Sequence, residues 1–367
     1  MKLLYITNGI NGAGGLERVL SIKASYLVEH YNYKVTIVSL NDGNNKPFYE
    51  FSNKISFKNI SVKGNVWQYC TSYRKGLSHI VTRTNPDIII ICDDGLKAFF
   101  IPIFLSKKVP IIYERHVSKE IEMNHEYPFW KKTLIKAKWK LMESLAQRFQ
   151  KFVVLTEGNT KEWKMLKNLE VIPNPLSFYP EESSALQNKK LIAVGRHAYQ
   201  KGYDRLLQAW KMVHEKYPDW HLEIYGKIEA NNSIKKLAQN LEIGKCVTFY
   251  PPANDIQSKY MDASIYVMSS RYEGFGMVLI EAMACGLPCV SFDCNYGPSD
   301  IIDHGHDGLL VENGNIKELA EALIKLVDNY DLRLKLGSNA KENVKRFLPE
   351  TVVKKWDDLF KTIVNFD

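Results

Sequence analysis

At 367 residues and 45% hydrophobic content, the chain is too long for one ordinary domain and suits two, each with its own core. No run of eighteen apolar residues occurs, so no transmembrane helix is expected, and the opening MKLLYITNGI reads as a first strand rather than a signal peptide. The net charge of +8 is lopsided: residues 1–175 hold 26 Lys and Arg against 15 Asp and Glu (+11), the remainder 23 against 26 (−3), so one half suits an anionic partner such as nucleic acid, a phosphorylated lipid or a membrane surface.

Short β-rich runs alternate with longer helical patterns, which predicts parallel sheets with crossover helices. In the first half the predicted strands are KLLYIT, KVTIVSL, ISFKNISV, DIIIIC, VPIIYE, KFVVLT and LEVIPN. Several are nearly continuous apolar runs, as expected for strands covered on both faces. Behind the first strand, TNGINGAGGLERVLS opens a helix, and Gly9, Gly12, Gly14 and Gly15 allow tight turns and close backbone approach. A helix N-terminus there offers free N–H groups to an anion. A ligand-free turn is the competing reading. The strict dinucleotide fingerprint is absent and no acidic residue ends the second strand, so NAD is not expected.

Further along, YPFWKKTLIKAKWKLMESLAQRF (127–149) has a helical period. Trp130, Leu134, Ala137, Leu141 and Leu145 share a face expected to pack on the domain core. Ile135, Trp139 and Met142 form a second stripe on the opposite side, with Lys132 and Lys136 beside it and Lys131, Lys138 and Lys140 around the rest. An exposed Trp139 among lysines suits an anionic membrane surface, contacted over residues 130–142. A solvated helix or a subunit contact is the alternative.

PNPLSFYPEESSALQNKK (173–190) has three prolines and no period, and reads as a linker. A second series then follows: KLIAVG, HLEIYG, CVTFYP, ASIYVMSS, PCVSFD and GLLVE. The expected fold is α/β, two doubly wound Rossmann-like domains facing across a cleft, with ligands beyond the carboxyl ends of the strands. At one such end Arg196 and Lys201 stand in the loop between a strand and a helix, where two cations suit a diphosphate. At another, RYEGFG joins a strand to the helix MVLIEAMACG, and Gly274 and Gly276 leave the first N–H groups of that helix open. Glu281 lies one turn inside and leans back toward the same site, where a ribose diol would suit a carboxylate. Glu273 precedes the helix and could grip another hydroxylated group. Taken singly, each of these charges also reads as a solvated or dipole-complementing residue.

Six scattered cysteines lack zinc-site spacing and read as small buried thiols in a reducing compartment. Asp303, His304, His306 and Asp307 in DHGHDG could cluster on a metal, but the flanking glycines and the following LLVE favour a polar loop. No metal is expected.

Glu273–Gly274–Phe275–Gly276, Glu281–Ala282 and Gly286–Leu287–Pro288, with Gly195–Arg196 and Lys201–Gly202 upstream, resemble the signature of glycosyltransferase family 4. Gly14–Gly15–Leu16–Glu17–Arg18 resembles that family's glycine loop, and GPSDII (297–302) a subgroup that builds bacterial surface polysaccharides. The resemblance covers nearly the whole chain and is strongest over 191–320. It implies the GT-B arrangement, with an acceptor-side domain over 1–175 and a nucleotide-sugar-binding domain over 176–349. A C-terminal helix of about 350–367 would return to the first domain. It also implies metal-independent transfer, with retention, of a hexose or N-acetylhexosamine from a nucleotide diphosphate sugar. A UDP-sugar is favoured as donor, and a glycan, lipid-linked in this reading, as acceptor.

By the same resemblance Arg196 and Lys201 hold the diphosphate, Glu281 the ribose and Glu273 the donor sugar. Backbone at Phe275, Gly276, Met277 and Val278, and the loop at Gly14 and Gly15, meet phosphate or sugar. A histidine after a first-domain strand maps to VPIIYERHVSKE, where His116 is preferred over Arg115. The expected location is cytoplasmic, with peripheral contact to the inner face of the cell membrane. The alternatives are a GDP-mannose mannosyltransferase, a phosphorylase-like or epimerase-like relative, and a basic nucleic-acid-binding protein. The last lacks interleaved aromatic and basic residues, so nucleic acid is not an expected partner.

Overall fold

The computed structural model describes the chain apart from residues 13, 44–45, 106–108, 124–126, 229–232 and 366–367. The chain divides into two compact units, Met1–Ser177 with Pro349–Asp367, and Phe178–Leu348.

The first unit is built on a parallel sheet of seven strands: β1 Lys2–Thr7, β2 Lys34–Leu40, β3 Ser56–Ile60, β4 Ile88–Cys92, β5 Ile111–Glu114, β6 Lys151–Val154 and β7 Leu169–Val171. Their order is β3-β2-β1-β4-β5-β6-β7. Leu3 of β1 pairs with Val35 on one side and Ile88 on the other. The period of two sends Leu4 and Ile6 to one face and Leu3 and Tyr5 to the other. The first face packs on Tyr73 and Leu77 of the Val66–Thr84 helix and on Met142 and Leu145 of the Phe129–Ala146 helix. The second packs on Leu20, Ala24 and Leu27 of the Gly15–Tyr31 helix and on Val352, Trp356 and Phe360 of the C-terminal helix Pro349–Val364. With both faces covered, every residue of β4 is buried.

The Phe129–Ala146 helix corrects the expected facing. Trp130, Leu134 and Leu141 are 64%, 61% and 43% exposed, and Ala137 is exposed too. Ile135 and Trp139 are half-buried and Met142 is buried, with Trp139 packed against the core. The stripe assigned to the membrane surface is the one that packs on the sheet. Only Leu145, at the edge of both stripes, is buried as expected. Helical period defines two apolar stripes equally well. The aromatic cluster of Phe99, Phe149, Phe152 and Trp163 beneath the helix selects between them.

The second unit is a six-stranded parallel sheet of β8 Lys190–Val194, β9 His221–Tyr225, β10 Val247–Tyr250, β11 Ile265–Met268, β12 Cys289–Asp293 and β13 Gly308–Glu312. Its order is β10-β9-β8-β11-β12-β13. In both sheets the chain winds outward from one strand and then returns to its other side. Each therefore has a topological switch point, between β1 and β4 and between β8 and β11, where such sheets bind ligands. None of the described helices is long and apolar enough to cross a membrane.

Candidate functional site

In the second unit the switch point gathers the loop after β8 and the turn after β11. Gly202 has φ +63°, and a Cβ there would lie 2.1 Å from the carbonyl oxygen of Ser269, so only glycine lets the two segments touch. Ser269 Oγ donates to the Lys201 carbonyl at 2.8 Å. Arg271 grips Asp204 with both terminal nitrogens, at 2.9 and 2.7 Å, and lies 3.9 Å over the Tyr199 ring. Burial alone pushes the Asp204 carboxyl up; the hydrogen bonds and charge of Arg271 reverse this and leave it below its ordinary range. The loop is thus fastened before any ligand arrives.

On this frame the structure brings Lys201 and Glu273 together. Glu273 Oε1 accepts from Lys201 Nζ at 2.7 Å and from Ser270 Oγ at 2.5 Å, and Glu273 is 6% exposed. Arg196 is exposed, and its side chain forms no ion pair among the described residues. Gly276, at φ +108°, caps the Met277–Ala284 helix without a side-chain bond, so the helix N-terminus stays open beside Met277 and Val278. Glu281 is 1% exposed one turn inside. Phe275 is 3% exposed and lies edge-on against Phe347 at 5.5 Å, so its ring is held in the core. Ser270, Arg271 and His197 escaped the sequence reading. The first two lie in the same short stretch as Glu273. His197 follows Arg196 and is buried between Tyr203 and Phe249; burial, then the charge of Lys235, lowers its pKa.

The first unit contributes a separate group at its own switch point. Successive residues at the end of β5 turn to opposite faces. Arg115 is buried and spends its donors on the backbone carbonyls of Val117 and Asp94, each at 2.9 Å. Glu114 is 1% exposed and forms an ion pair with Lys23 of the Gly15–Tyr31 helix, itself 1% exposed. Cys92 Sγ lies 3.2 Å from Glu114 Oε2, and His116 Nε2 3.3 Å from Oε1. Burial would raise the Glu114 carboxyl; Lys23 and then His116 overcome that and hold it far below the carboxylate range.

Gly14 and Gly15 are exposed at the helix N-terminus, and the Glu17 carboxylate folds back over the loop. A Cβ at Gly12 or Gly14 would lie 2.6 or 2.3 Å from a Glu17 oxygen. Burial raises Glu17, against its own backbone N–H and the nearby His116.

Cys92, Glu114 and His116 form the one compact set of possible metal donors among the described residues, with ligand atoms within 4.8 Å, and the Lys23 ammonium already sits against its carboxylate. The DHGHDG residues do not converge on a common point. His304 Nδ1 accepts from the Leu310 N–H at 3.0 Å, Asp307 Oδ1 from the Asp303 N–H at 2.8 Å, and His306 is exposed.

The family model described as Glycosyl transferases group 1 matches residues 179–343, the span that contains the Arg196, Lys201, Glu273 and Glu281 cluster. An uncharacterized glycosyltransferase of Haemophilus influenzae is 31% identical over 97% of this chain and 98% of its own. This chain belongs to the glycosyltransferases, with a group 1 domain over 179–343. The amylovoran biosynthesis glycosyltransferase AmsD of Erwinia amylovora is also 31% identical, over 98% of this chain and 99% of its own. Among solved structures, TarM of S. aureus, in complex with fondaparinux, alpha-GlcNAc-glycerol and UDP, superposes with a TM-score of 0.77. It is 19% identical, covering 98% of this chain and 99% of that one. The fold is that of GT-B glycosyltransferases, two parallel-sheet Rossmann-like domains.

Proposed function

We propose that this glycosyltransferase is a retaining enzyme of family 4. It moves a hexose or N-acetylhexosamine from a UDP-sugar to a lipid-linked glycan in bacterial surface polysaccharide synthesis. The observation that carries the reading is the Lys201–Glu273 pair at the β8/β11 switch point, beside an open helix N-terminus with Glu281 one turn inside. A diphosphate there meets Lys201, the exposed Arg196 and the N–H groups at Met277 and Val278. Glu281 accepts from the ribose diol. Glu273 is left to the sugar hydroxyls once Lys201 turns to phosphate. Backbone at Phe275 and Gly276 lines the path. In the first unit, His116 serves the reacting sugar and the Gly14–Gly15 loop meets phosphate.

Preorganised cations carry the departing charge in this reading, and no divalent ion is needed. Relatives support the substrate classes: AmsD is named for amylovoran biosynthesis, and the TarM complex holds UDP. The lipid-linked acceptor draws on the first unit, where Phe129, Trp130, Leu134 and Leu141 are exposed beside Lys136 and Lys140. That composition supports peripheral contact with an anionic membrane, in this reading the inner face of the cell membrane.

Calorimetric titration with UDP and GDP tests the donor site. Tight UDP binding, lost in Glu281→Ala, is expected. Preference for GDP would turn the assignment to a GDP-mannose mannosyltransferase. Product analysis with a panel of UDP-sugars, with and without chelator, should give α-linked products from α-linked donors at an unchanged rate. Loss of activity restored by magnesium would overturn the metal-independent reading.

A further inference from the structure

A buried ion pair is an odd thing to keep in a core. Desolvating two charges costs more than a matching apolar pair would, unless the pair has another task. Lys23 and Glu114 lie 91 residues apart in sequence and meet between the Gly15–Tyr31 helix and the end of β5. The ammonium is also enclosed by aromatic faces, 4.1 Å from the Trp356 ring centre and 5.4 Å from that of Tyr5. The two carboxylate oxygens are used differently. Oε2 takes Lys23 Nζ and the Cys92 thiol, whereas Oε1 faces His116 Nε2 at 3.3 Å. The His116 backbone is pinned separately, its N–H donating to Asp94 Oδ1 at 3.2 Å. The Nδ1 atom of His116 has no hydrogen-bond partner among the described residues.

We infer that Lys23 and Glu114 are positioning residues for His116: the pair locks one carboxylate oxygen and presents the other to Nε2. The hydrogen then resides on Nε2, and Nδ1 is the atom left free to accept. A carboxylate can only accept, so the neutral ring has one way to satisfy it. Lys23 keeps Glu114 ionised and stops it from rotating away. Cys92 seals the remaining lone pair. The inference rests on the reading of His116 as a group that serves the reaction, and it adds what sets that group's tautomer.

Nitrogen-15 spectra of the histidine rings test it, recorded above about pH 8, where an ordinary imidazole is neutral. The His116 signals are assigned by their loss in His116→Gln. The wild-type ring should show the proton on Nε2. In Glu114→Gln the amide oxygen takes Lys23 and the amide NH2 faces the ring. Nε2 must then accept, and the proton should move to Nδ1. UDP release from UDP-GlcNAc, UDP-glucose and UDP-galactose should fall roughly a hundredfold in kcat, with KM within about twofold, the scale of losing a correctly protonated acid–base group.

A wild-type proton on Nδ1, or an unchanged tautomer in Glu114→Gln, overturns the inference. Should Glu114→Gln fail to fold, the wild-type spectrum still decides, together with Lys23→Met/Glu114→Gln, which removes both charges at similar volume and should release the tautomer preference. Full activity in His116→Ala with the expected spectra would remove His116 from the reaction while leaving its orientation by Glu114 intact.

Discussion

Arg196 and Lys201 leave the same strand exit with different attachments, and their variants should differ accordingly. Lys201 neutralises Glu273, which is 6% exposed and whose carboxylate otherwise accepts only from Ser270 among the described residues. Lys201→Ala should therefore destabilise the protein by about 1–3 kcal/mol, the cost of a buried polar group left short of a partner. Arg196 is exposed, so Arg196→Ala should stay within about 0.5 kcal/mol of wild type. Both should lower kcat/KM for the donor by roughly a hundredfold, on the scale of one transition-state charge contact. Thermal melts and donor kinetics on the two variants check this. Equal melting loss in both, or wild-type kinetics in both, would remove the clamp. The charges of this clamp were legible in the sequence. The pairing of Lys201 with Glu273, 72 residues away, was not, because it depends on which strands become neighbours.

At the scale of elements, strands were the most legible feature, since an apolar run buried on both faces has few other ways to satisfy its backbone. Each predicted run, from KLLYIT to GLLVE, contains one of the strands β1 to β13. Helix facing was less legible, as the two stripes of Phe129–Ala146 show. This facing decides which variants test the membrane contact. Trp130→Glu should leave the melting temperature near wild type and abolish flotation with anionic vesicles. Trp139→Glu should instead destabilise the first unit by about 3 kcal/mol or more, because a charge would enter the packed face. Changing exposed Lys136 and Lys140 to Gln should weaken vesicle binding by about 2 kcal/mol, roughly thirtyfold, at about 1 kcal/mol for each lysine. Binding to neutral vesicles equal to that on anionic ones, or no binding at low salt, would refute the contact.

For the whole molecule, acid stability reports the buried pair. The Glu114 carboxyl is depressed in the fold, so its contribution is fully present above the unfolded value, about 4.3, and is lost as pH falls toward the folded one. The melting-temperature difference between wild type and Glu114→Gln should thus be largest at pH 5–7 and shrink steadily below about pH 4. A difference independent of pH would mean that Glu114 does not carry a charge in the folded state. The sequence by itself determined the class of fold, the strand-by-strand plan and the loops that hold the charged residues, because apolar periodicity and glycine placement act over a few neighbouring residues. Only the tertiary structure decided that Lys23 meets Glu114, that Arg271 meets Asp204, and which stripe of a helix faces water. The two pairs join residues 91 and 67 apart in sequence, and the helix face is chosen by the core beneath it; strand order and core shape create these contacts and no local pattern encodes them.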